Sequence, residues 1–467
     1  MFVDTTMFLC HNGSIPKEMI PERNRLVTRQ TSAKKNKEDI LLKKITAIFL
    51  ALMLCFSLAA CAGGDEGSGG SDGDYGPATI RIGIPNPGAG PIASFGIGTP
   101  WAEQLAVDKV NAEGGIYIEE YDRYIPIELF IVDTESNPVK ASELTQRLIE
   151  QDEVHMLIAR HTPDTALPVS AMGERYGVPT VSLECPVDPW LEGGPYEWVY
   201  HSFWMIESNY DLFTAMWDEL GFGPGSGATI GYLFPNDPDG LAWEAIFTRR
   251  LTADGYKISD PGRYPIITDD WTAIINQFKS DGVDILTGCD IPPHFGMFVT
   301  QAAQQGLTYE LMTMGRAYLF PADANSVPVE LADGLTCEVW WTPWHPFRSS
   351  LDGMTCQELA DAYESEFGIE WSPPMGYKYA GVEIAVDALR RAASLDPAKI
   401  RDAIAATNLD TMVGPIKYDP VTHVAETPLV GGQWVKNAAG DAVELRIVYN
   451  ANNPHIPKNA ELFLPGR

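Results

Sequence analysis

Short apolar segments alternate with helical segments from residue 78 onward, and this alternation constrains the fold more than any other feature of the chain. Residues 79–84, 126–132 and 155–159 are predicted to be buried strands, and residues 101–111 and 139–151 have the apolar spacing of helices. Neighbouring parallel strands need a crossover connection, which is usually a helix. The alternation therefore predicts a parallel sheet covered by helices on both faces.

The same alternation starts again after Ser202. Strands are predicted at 228–234 and 284–287, and helices at 241–253 and 294–305. The chain has 467 residues, and two such sheets are more than one doubly wound domain usually holds. The predicted fold class is α/β, with two doubly wound parallel-sheet lobes.

The first 75 residues differ from this pattern. Residues 45–60 form an apolar stretch behind two lysines, which is typical of a secretory signal and too short to be a good spanning helix. The stretch ends in Leu-Ala-Ala-Cys61, which resembles the lipobox of bacterial lipoproteins, where the cysteine is acylated. Residues 61–75 are rich in Gly, Ser and Asp, as in a flexible tether. We expect a signal region at 1–60 and an extracytoplasmic protein anchored to the membrane through lipidated Cys61.

Charge and composition narrow the class of function. The formal net charge of −30 disfavours binding to nucleic acid and to anionic lipid surfaces. The eight histidines are scattered, HExxH is missing, and the cysteines do not have metal-type spacing. No Ser/His/Asp arrangement indicates a hydrolase. We therefore expect a binding protein with no metal or cofactor rather than an enzyme.

One segment imitates a dinucleotide-binding fingerprint. Residues 88–93 follow a predicted strand and match GxGxxA, but Pro91 interrupts the motif. The acidic residue expected about 20 positions later, at the end of a second strand, is missing, and Asp133 is too distant. A nucleotide-dependent oxidoreductase is therefore a weak alternative.

Four cysteines follow the tether: Cys185, Cys289, Cys337 and Cys356. An exported protein can form disulfides, and Cys337 with Cys356 is the candidate pair. The alternative is that the thiols are reduced and buried.

Several segments in consistent order resemble the branched-chain amino-acid (Leu/Ile/Val)-binding family of type I periplasmic binding proteins, which serve ABC transporters. The segment at 106–116, AVDKVNAEGGI, looks like that family's INAAGGI segment. The other similar segments lie at 90–96, 133–138, 148–154, 176–182 and 412–419.

The resemblance implies two similar lobes joined by three hinge crossings, with the solute in the cleft. The first lobe is expected at 76–202 plus 340–413, and the second at 203–339 plus 414–467. The family also implies ABC permease and ATPase partners, a monomer, and an amino-acid-like, amide or aromatic-acid solute. A ligand-sensing receptor subunit of the same fold is the alternative.

Candidate contacts in the first lobe follow two predicted strands, because ligands of such sheets bind at the carboxyl ends of the strands. Arg160, Thr162 and Thr165 lie at the start of a predicted helix. Thr162 suits the N-cap position, so free N–H groups there would face a solute carboxylate. Ser182 and Glu184 lie at the end of the next strand. Glu184 is expected either to bind a solute cation, to pair with Arg160, or to be solvated.

The second lobe departs from the family pattern. The resemblance places an acid that binds the solute's amine near residues 315–318, but Arg316 and Tyr318 stand there. Asp239 and Asp290 are the candidates to replace that acid. Alternatively, Arg316 holds a second carboxylate or an amide, which suits the planar guanidinium group.

Aromatic residues complete the candidate site. Phe95 occupies the family's aromatic position in the first loop, where a ring packs on the ligand. Trp340 and Trp341 lie at the expected second crossing, where they either line the cleft or pack the hinge.

Overall fold

The structure, a computed structural model, describes residues 76–466. The predicted signal region at 1–60, Cys61 and the tether at 61–75 lie outside these residues. Within the described part of the chain, no helix is both long and apolar enough to cross a membrane.

Strands and helices alternate through most of the described chain. In chain order the strands are β1 (Ile80–Asn86), β2 (Ile116–Ile118), β3 (Arg123–Ile125), β4 (Ile127–Asp133), β5 (Met156–Ala159), β6 (Thr180–Leu183), β7 (Val199–Phe203), β8 (Thr229–Leu233), β9 (Lys257–Ser259), β10 (Ile285–Gly288), β11 (Leu311–Met314), β12 (Thr336–Val339), β13 (Asn408–Thr411), β14 (Gly414–Lys417), β15 (Val424–Glu426), β16 (Val430–Lys436) and β17 (Val443–Tyr449). The α-helices are α1 (Ala93–Gly96), α2 (Thr99–Ala112), α3 (Pro138–Glu150), α4 (Thr162–Tyr176), α5 (Val187–Glu192), α6 (Ile206–Glu219), α7 (Pro238–Ala253), α8 (Thr272–Asp281), α9 (Pro292–Gln304), α10 (Pro321–Ala324), α11 (Val329–Ala332), α12 (Cys356–Phe367), α13 (Pro374–Ala392) and α14 (Pro397–Ala405). Short 3-10 helices lie at Glu119–Tyr121 and Ala317–Leu319.

Local sequence sets where several helices begin. Asn137 caps α3, because its side chain accepts hydrogen bonds from the backbone N–H groups of Val139 and Lys140. Asp237 caps α7 in the same way through Gly240. A proline follows each cap at the first helical position. Its lack of an N–H costs nothing there, because an N–H at that position has no acceptor within the helix.

The first sheet is parallel throughout. Its order in the described residues is β15-β7-β6-β5-β1-β4. Both faces are buried: Met156 and Ile158 of β5 join one apolar cluster, and Leu157 and Ala159 join another. The continuous apolar runs in the sequence arise because the inner strands, such as β5 and β6, are covered on both sides.

The second sheet has the order β17-β16-β12-β11-β10-β8-β9. Strands β8 to β12 are parallel, whereas β16 and β17 add an antiparallel edge. The orders β7-β6-β5-β1-β4 and β12-β11-β10-β8-β9 are the same connection pattern used twice. The two lobes therefore share a topology, although the sequence has no visible internal repeat.

The chain passes between the sheets after β7, after β12 and after β15. Strand β15 pairs with β7, so Val424–Glu426 belongs to the first sheet. The sequence assigned residues 414–467 to the second lobe, and that assignment is wrong for this strand. The last crossing follows Glu426, because the chain adds one more strand to the first sheet before it returns.

The four described cysteines are free and buried. The structure therefore has reduced thiols at Cys337 and Cys356 and no disulfide between them. Cys337 lies inside β12, where strand neighbours surround it. The thiol of Cys356 accepts a hydrogen bond from the indole N–H of Trp341 at 3.1 Å. Burial raises the pKa of Cys356 to about 12, which keeps this thiol protonated and unreactive.

We expect both thiols to be free in the purified protein, because each is enclosed by protein in a different environment. Alkylation in denaturant without reductant, followed by peptide mass spectrometry, should label the peptides that contain Cys337 and Cys356. Recovery of the two peptides joined to each other, with label added only after reduction, would contradict the structure.

Candidate functional site

Backbone strain marks the facing edges of the two sheets. His161 and Thr162 follow β5, Glu184 follows β6 and Arg316 follows β11, and all four have φ between 57° and 64°. Residues with side chains rarely occupy this left-handed region, and such strain concentrates at functional sites. Strands β6 and β11 are equivalent in the two lobes, so Glu184 and Arg316 occupy matching positions.

In the first lobe, the Arg160 cluster (Glu103, Arg160, Glu184 and Lys378) joins four segments that are distant in sequence. Arg160 Nε donates to Glu184 Oε2 at 3.0 Å, and Arg160 Nη1 pairs with Glu103 of α2. The same Nη1 donates to the backbone oxygen of Lys378 in α13 at 3.0 Å. The cluster is enclosed, and its two cationic and two carboxylic side chains balance in number.

Burial dominates the electrostatics of the Arg160 cluster. It raises the pKa of Glu103 to about 7 against the opposing pull of Arg160, and it raises the pKa of Glu184 as well. Burial also lowers the pKa of Lys378 to about 7. Arg160 Nη2 and Glu184 Oε1 have no hydrogen-bond partner among the described residues. The guanidinium of Arg160 already pairs with the carboxyl groups of Glu103 and Glu184. Its role is thus to position the loops around it.

The start of α4 departs from the expected cap. The helix begins at Thr162 itself, and His161 stands at the N-cap without a side-chain capping bond. The prediction that Thr162 is the N-cap is therefore wrong, because the strained turn places it one position later. The Thr162 N–H donates to the backbone oxygen of Glu184 at 2.8 Å, whereas the buried Thr165 Oγ1 lacks a partner within the described chain.

In the second lobe, the Arg316 cluster (Asp237, Asp239, Asp290, Arg316 and Glu338) lies at the carboxyl ends of β8, β10, β11 and β12. Arg316 Nη2 donates to Asp237 at 2.6 Å, and Arg316 Nη1 donates to Asp239 at 2.8 Å. The Arg316 backbone N–H donates to Glu338 Oε1 at 2.9 Å, which helps to hold the strained turn. Asp290 Oδ1 accepts from the N–H of Ile291 and from the hydroxyl of Tyr264.

Burial raises the pKa of three carboxyl groups in the Arg316 cluster: Asp239 to about 6, Asp290 to about 7 and Glu338 to about 8. Asp290 Oδ2 and Arg316 Nε have no partner within residues 76–466. A single guanidinium faces four carboxyl groups here, so the Arg316 cluster has an excess of acidic groups, and their negatively charged forms are disfavoured.

Asp164 of α4 brings the first lobe against the Arg316 cluster. Helix α4 contacts α7 of the second lobe. Burial raises the pKa of Asp164 to about 7, and the nearby charge of Asp237 raises it further, against the opposing charge of Arg316. The two lobes are thus in contact through polar groups.

An aromatic wall (Phe95, Phe203, Trp204, Trp243, Phe320, Trp340 and Tyr377) lies beside the charges. Trp340 stacks on Phe95 with ring centroids 6.2 Å apart, and Phe95 meets Phe320 of the second lobe edge-on at 4.9 Å. Trp204 meets Trp243 edge-on at 5.9 Å. These rings form apolar contacts between the first lobe and the second.

The structure brings together most of the residues that the sequence singled out, although their contact with a solute stays a prediction. They are Phe95, Arg160, Thr162, Thr165, Glu184, Asp239, Asp290, Arg316 and Trp340. Tyr318 packs its ring on Phe295 at 4.0 Å, and its buried hydroxyl has no partner in the described chain.

Two residues that the sequence predicts to contact the solute, Ser182 and Trp341, bind other parts of the protein. The Ser182 hydroxyl bonds to His201 Nδ1 at 2.9 Å. Trp341 packs against Trp371 and Gly376 and bonds to Cys356, so it supports the crossing instead of joining the aromatic wall.

Sequence reasoning missed several charged members of the site, including Glu103, Lys378, Asp237 and Glu338. A signal existed for some of them. Glu103 lies on the same helix face as Ala106 and Val107, which is otherwise apolar. Lys378 interrupts the buried face of α13, and a charged residue in such a place is usually paired.

A family model described as periplasmic binding protein matches residues 79–440. Among curated relatives, Leu/Ile/Val-binding protein homolog 7 of Brucella abortus (strain 2308) is 23% identical over 370 residues, covering 76% of this chain and 89% of the relative.

Solved structures of similar fold include the branched-chain amino acid transporter substrate binding protein LivJ from Streptococcus pneumoniae in complex with isoleucine. It has a TM-score of 0.67 and 18% identity, covering 79% of this chain and 99% of that one. A solute binding protein of an ABC transporter from Rhodopseudomonas palustris BisB5, in complex with 3,4-dihydroxy benzoic acid, has a TM-score of 0.64 and 20% identity, covering 79% and 96%. These matches confirm the predicted two-lobe α/β fold and the family resemblance.

We expect Arg160→Met to destabilise the protein, because it removes the guanidinium that pairs with Glu103 and Glu184 and leaves Lys378 as the one cation of the cluster. The loss should be about 3–5 kcal/mol at about pH 8. It should shrink at about pH 5.5, since carboxyl groups whose pKa is raised are protonated below that pKa, and the penalty appears only as the pH rises through it. Urea unfolding at both pH values measures the effect.

Arg390→Met is the matched control, because Arg390 pairs with Glu113 at the surface. It should cost at most about 1 kcal/mol at either pH. Equal losses in the two variants at both pH values would show that the Arg160 cluster does not depend on its guanidinium.

Proposed function

The chain belongs to the periplasmic binding protein family, and on that basis we propose that it captures a small organic solute outside the cytoplasm by closing two lobes around it. The observation that carries this proposal is the meeting of the Arg160 cluster, the Arg316 cluster and the aromatic wall at the facing ends of the strands. Ligands of open parallel sheets bind at that edge. Capture requires no chemical change in the solute.

The mechanism follows from the three crossings between the sheets. A solute that contacts both lobes does so only when they are closed, so binding shifts the population towards the closed form. The crossings after Phe203, Val339 and Glu426 would act as the hinge. Backbone rotation at those few residues suffices to separate two otherwise rigid sheets.

We propose that the solute is amino-acid-like, an amide or an aromatic acid. Isoleucine and a dihydroxybenzoic acid are bound by proteins of similar fold. Thr165 Oγ1, Arg316 Nε and Asp290 Oδ2 are buried polar atoms without partners in the described part of the chain, and a polar solute would satisfy them. Phe95 and Trp340 supply flat apolar surface beside them.

Delivery completes the proposed role. Lipidation of Cys61 would hold the protein at the membrane while the tether leaves it free to move. The monomeric protein would then pass its solute to the permease and ATPase subunits of an ABC importer. Neighbouring genes that encode such subunits would support this step.

Solutes that bind should raise the melting temperature of the purified protein, because they stabilise only the folded state. A screen of amino acids, amides, aromatic acids and polyamines should yield at least one solute with a saturable shift. Phe95→Leu should weaken its binding about 3- to 10-fold in calorimetry, since one aromatic contact is lost.

Phe367→Leu is the control, because Phe367 is 47% exposed and lies away from the aromatic wall. It should leave affinity unchanged. Stabilisation by sugars or metal ions alone, with no response to any solute in the screen, would contradict the proposed class.

A further inference from the structure

The groups that meet between the lobes carry an excess of acid. Asp164 and the Arg316 cluster together contribute five carboxyl groups and one guanidinium, and every member of the Arg316 cluster is buried. Burying unpaired negative charge is unfavourable, so the closed state gains from a positive partner.

The buried cations of the site are partly engaged, although Arg160 Nη2 and Arg316 Nε have no partner within residues 76–466. Arg160 pairs with two carboxylates, and so does Arg316. The Lys378 ammonium donates to the backbone oxygen of Ile97. Pro163, in the first turn of α4, has no N–H to offer, and the Thr162 N–H is used by Glu184. Arg160 Nη2 and Arg316 Nε are therefore the guanidinium donors left for a solute carboxylate, and each belongs to a guanidinium that already pairs with two carboxylates.

Acceptors, by contrast, are available. Asp290 Oδ2 is fully buried and has no protein partner within residues 76–466. The Tyr318 hydroxyl is also buried and unpartnered there, and it lies within the electrostatic field of Asp290. A hydroxyl and a carboxylate oxygen are both acceptors for an N–H donor.

Aromatic rings lie beside the Arg316 cluster. Trp204, Trp243 and Trp340 form part of the aromatic wall, and Gly315, next to Arg316, approaches the Trp243 ring closely. Tryptophan faces attract cations, and the attraction is stronger where water is excluded. The wall thus suits a flat or alkyl cation as well as a neutral ring.

We propose that the captured solute is an organic cation, whose ammonium, amidinium or guanidinium group is held by Asp290 together with the other carboxyl groups between the lobes. This inference rests on the proposed capture of a solute and assigns that solute to a cationic class instead of the amides and aromatic acids. It departs from the expectation that the site is built around a solute carboxylate.

The proposal predicts that binding of the solute releases protons. The pKa values of Asp164, Asp290 and Glu338 are raised to about 7, about 7 and about 8. Near neutral pH these groups are partly protonated, and a bound cation favours their charged form. Binding of a cation should therefore release protons, which makes the calorimetric enthalpy depend on the buffer.

The test uses two series that keep shape while changing charge. Benzamidine, benzamide and benzoate form one series, and putrescine, 1,4-butanediol and succinate form the other. In calorimetry on the purified protein at about pH 7, at least one cation should bind about tenfold or more tighter than its neutral and anionic counterparts, with proton release.

Asp290→Asn should reduce the preference of the protein for that cation over its neutral counterpart by about tenfold and diminish the proton release. A purely structural role for Asp290 would weaken both compounds equally. Asp269→Asn, at an exposed aspartate of the same lobe, is the matched control and should change neither quantity. Glu338→Gln provides a second variant if Asp290→Asn fails to fold, with the same expected loss of preference.

Tightest binding of benzoate or succinate would overturn the inference, as would capture of leucine or another neutral amino acid with no response to either cation. In both cases the protein still captures a solute, so the proposed function stands. If no compound of either series or of the amino-acid screen binds, the proposed function fails and the cation proposal fails with it.

Discussion

Two buried guanidinium groups organise the facing edges of the sheets. Arg160 holds Glu103 and Glu184 in one lobe, and Arg316 holds Asp237 and Asp239 in the other. Buried ion pairs seldom add net stability compared with apolar packing, but loss of one partner is severe. Their role here is geometric, because each fixes a strained turn directly after a strand.

The shared topology explains why these groups meet. Strands β6 and β11 occupy the same place in their sheets, so Glu184 and Arg316 follow them at matching positions. The loops at the carboxyl ends therefore carry polar side chains from both lobes towards one boundary. The structure buries these charges together, and the apolar contacts of Phe95 and Trp340 offset part of that unfavourable term. Under the proposed function, a solute that complements the remaining charge would decide the balance between the open and closed forms.

Much of the fold could be predicted from the sequence, because the central parallel strands, such as β5, β6, β10 and β11, are buried throughout and form recognisable apolar runs. The three-residue strand β15 was missed, since so short a segment has no periodic signal. The loop residues of the site, such as Arg160 and Arg316, were found through their positions after strands. Glu103 and Lys378 were not, because helices distant in sequence bring them to the site and only tertiary packing shows which charges face one another. The strained turn at Thr162 was not predicted either, because the local sequence favours an ordinary N-cap at that position.

The central claim is that a bound solute closes the two lobes. Small-angle X-ray scattering of the purified protein, with and without a solute shown by calorimetry to bind, tests it most directly. The account predicts a larger radius of gyration for the free protein, and a bound-state profile that matches the closed arrangement of the structure. Identical profiles for the free and the saturated protein would contradict it.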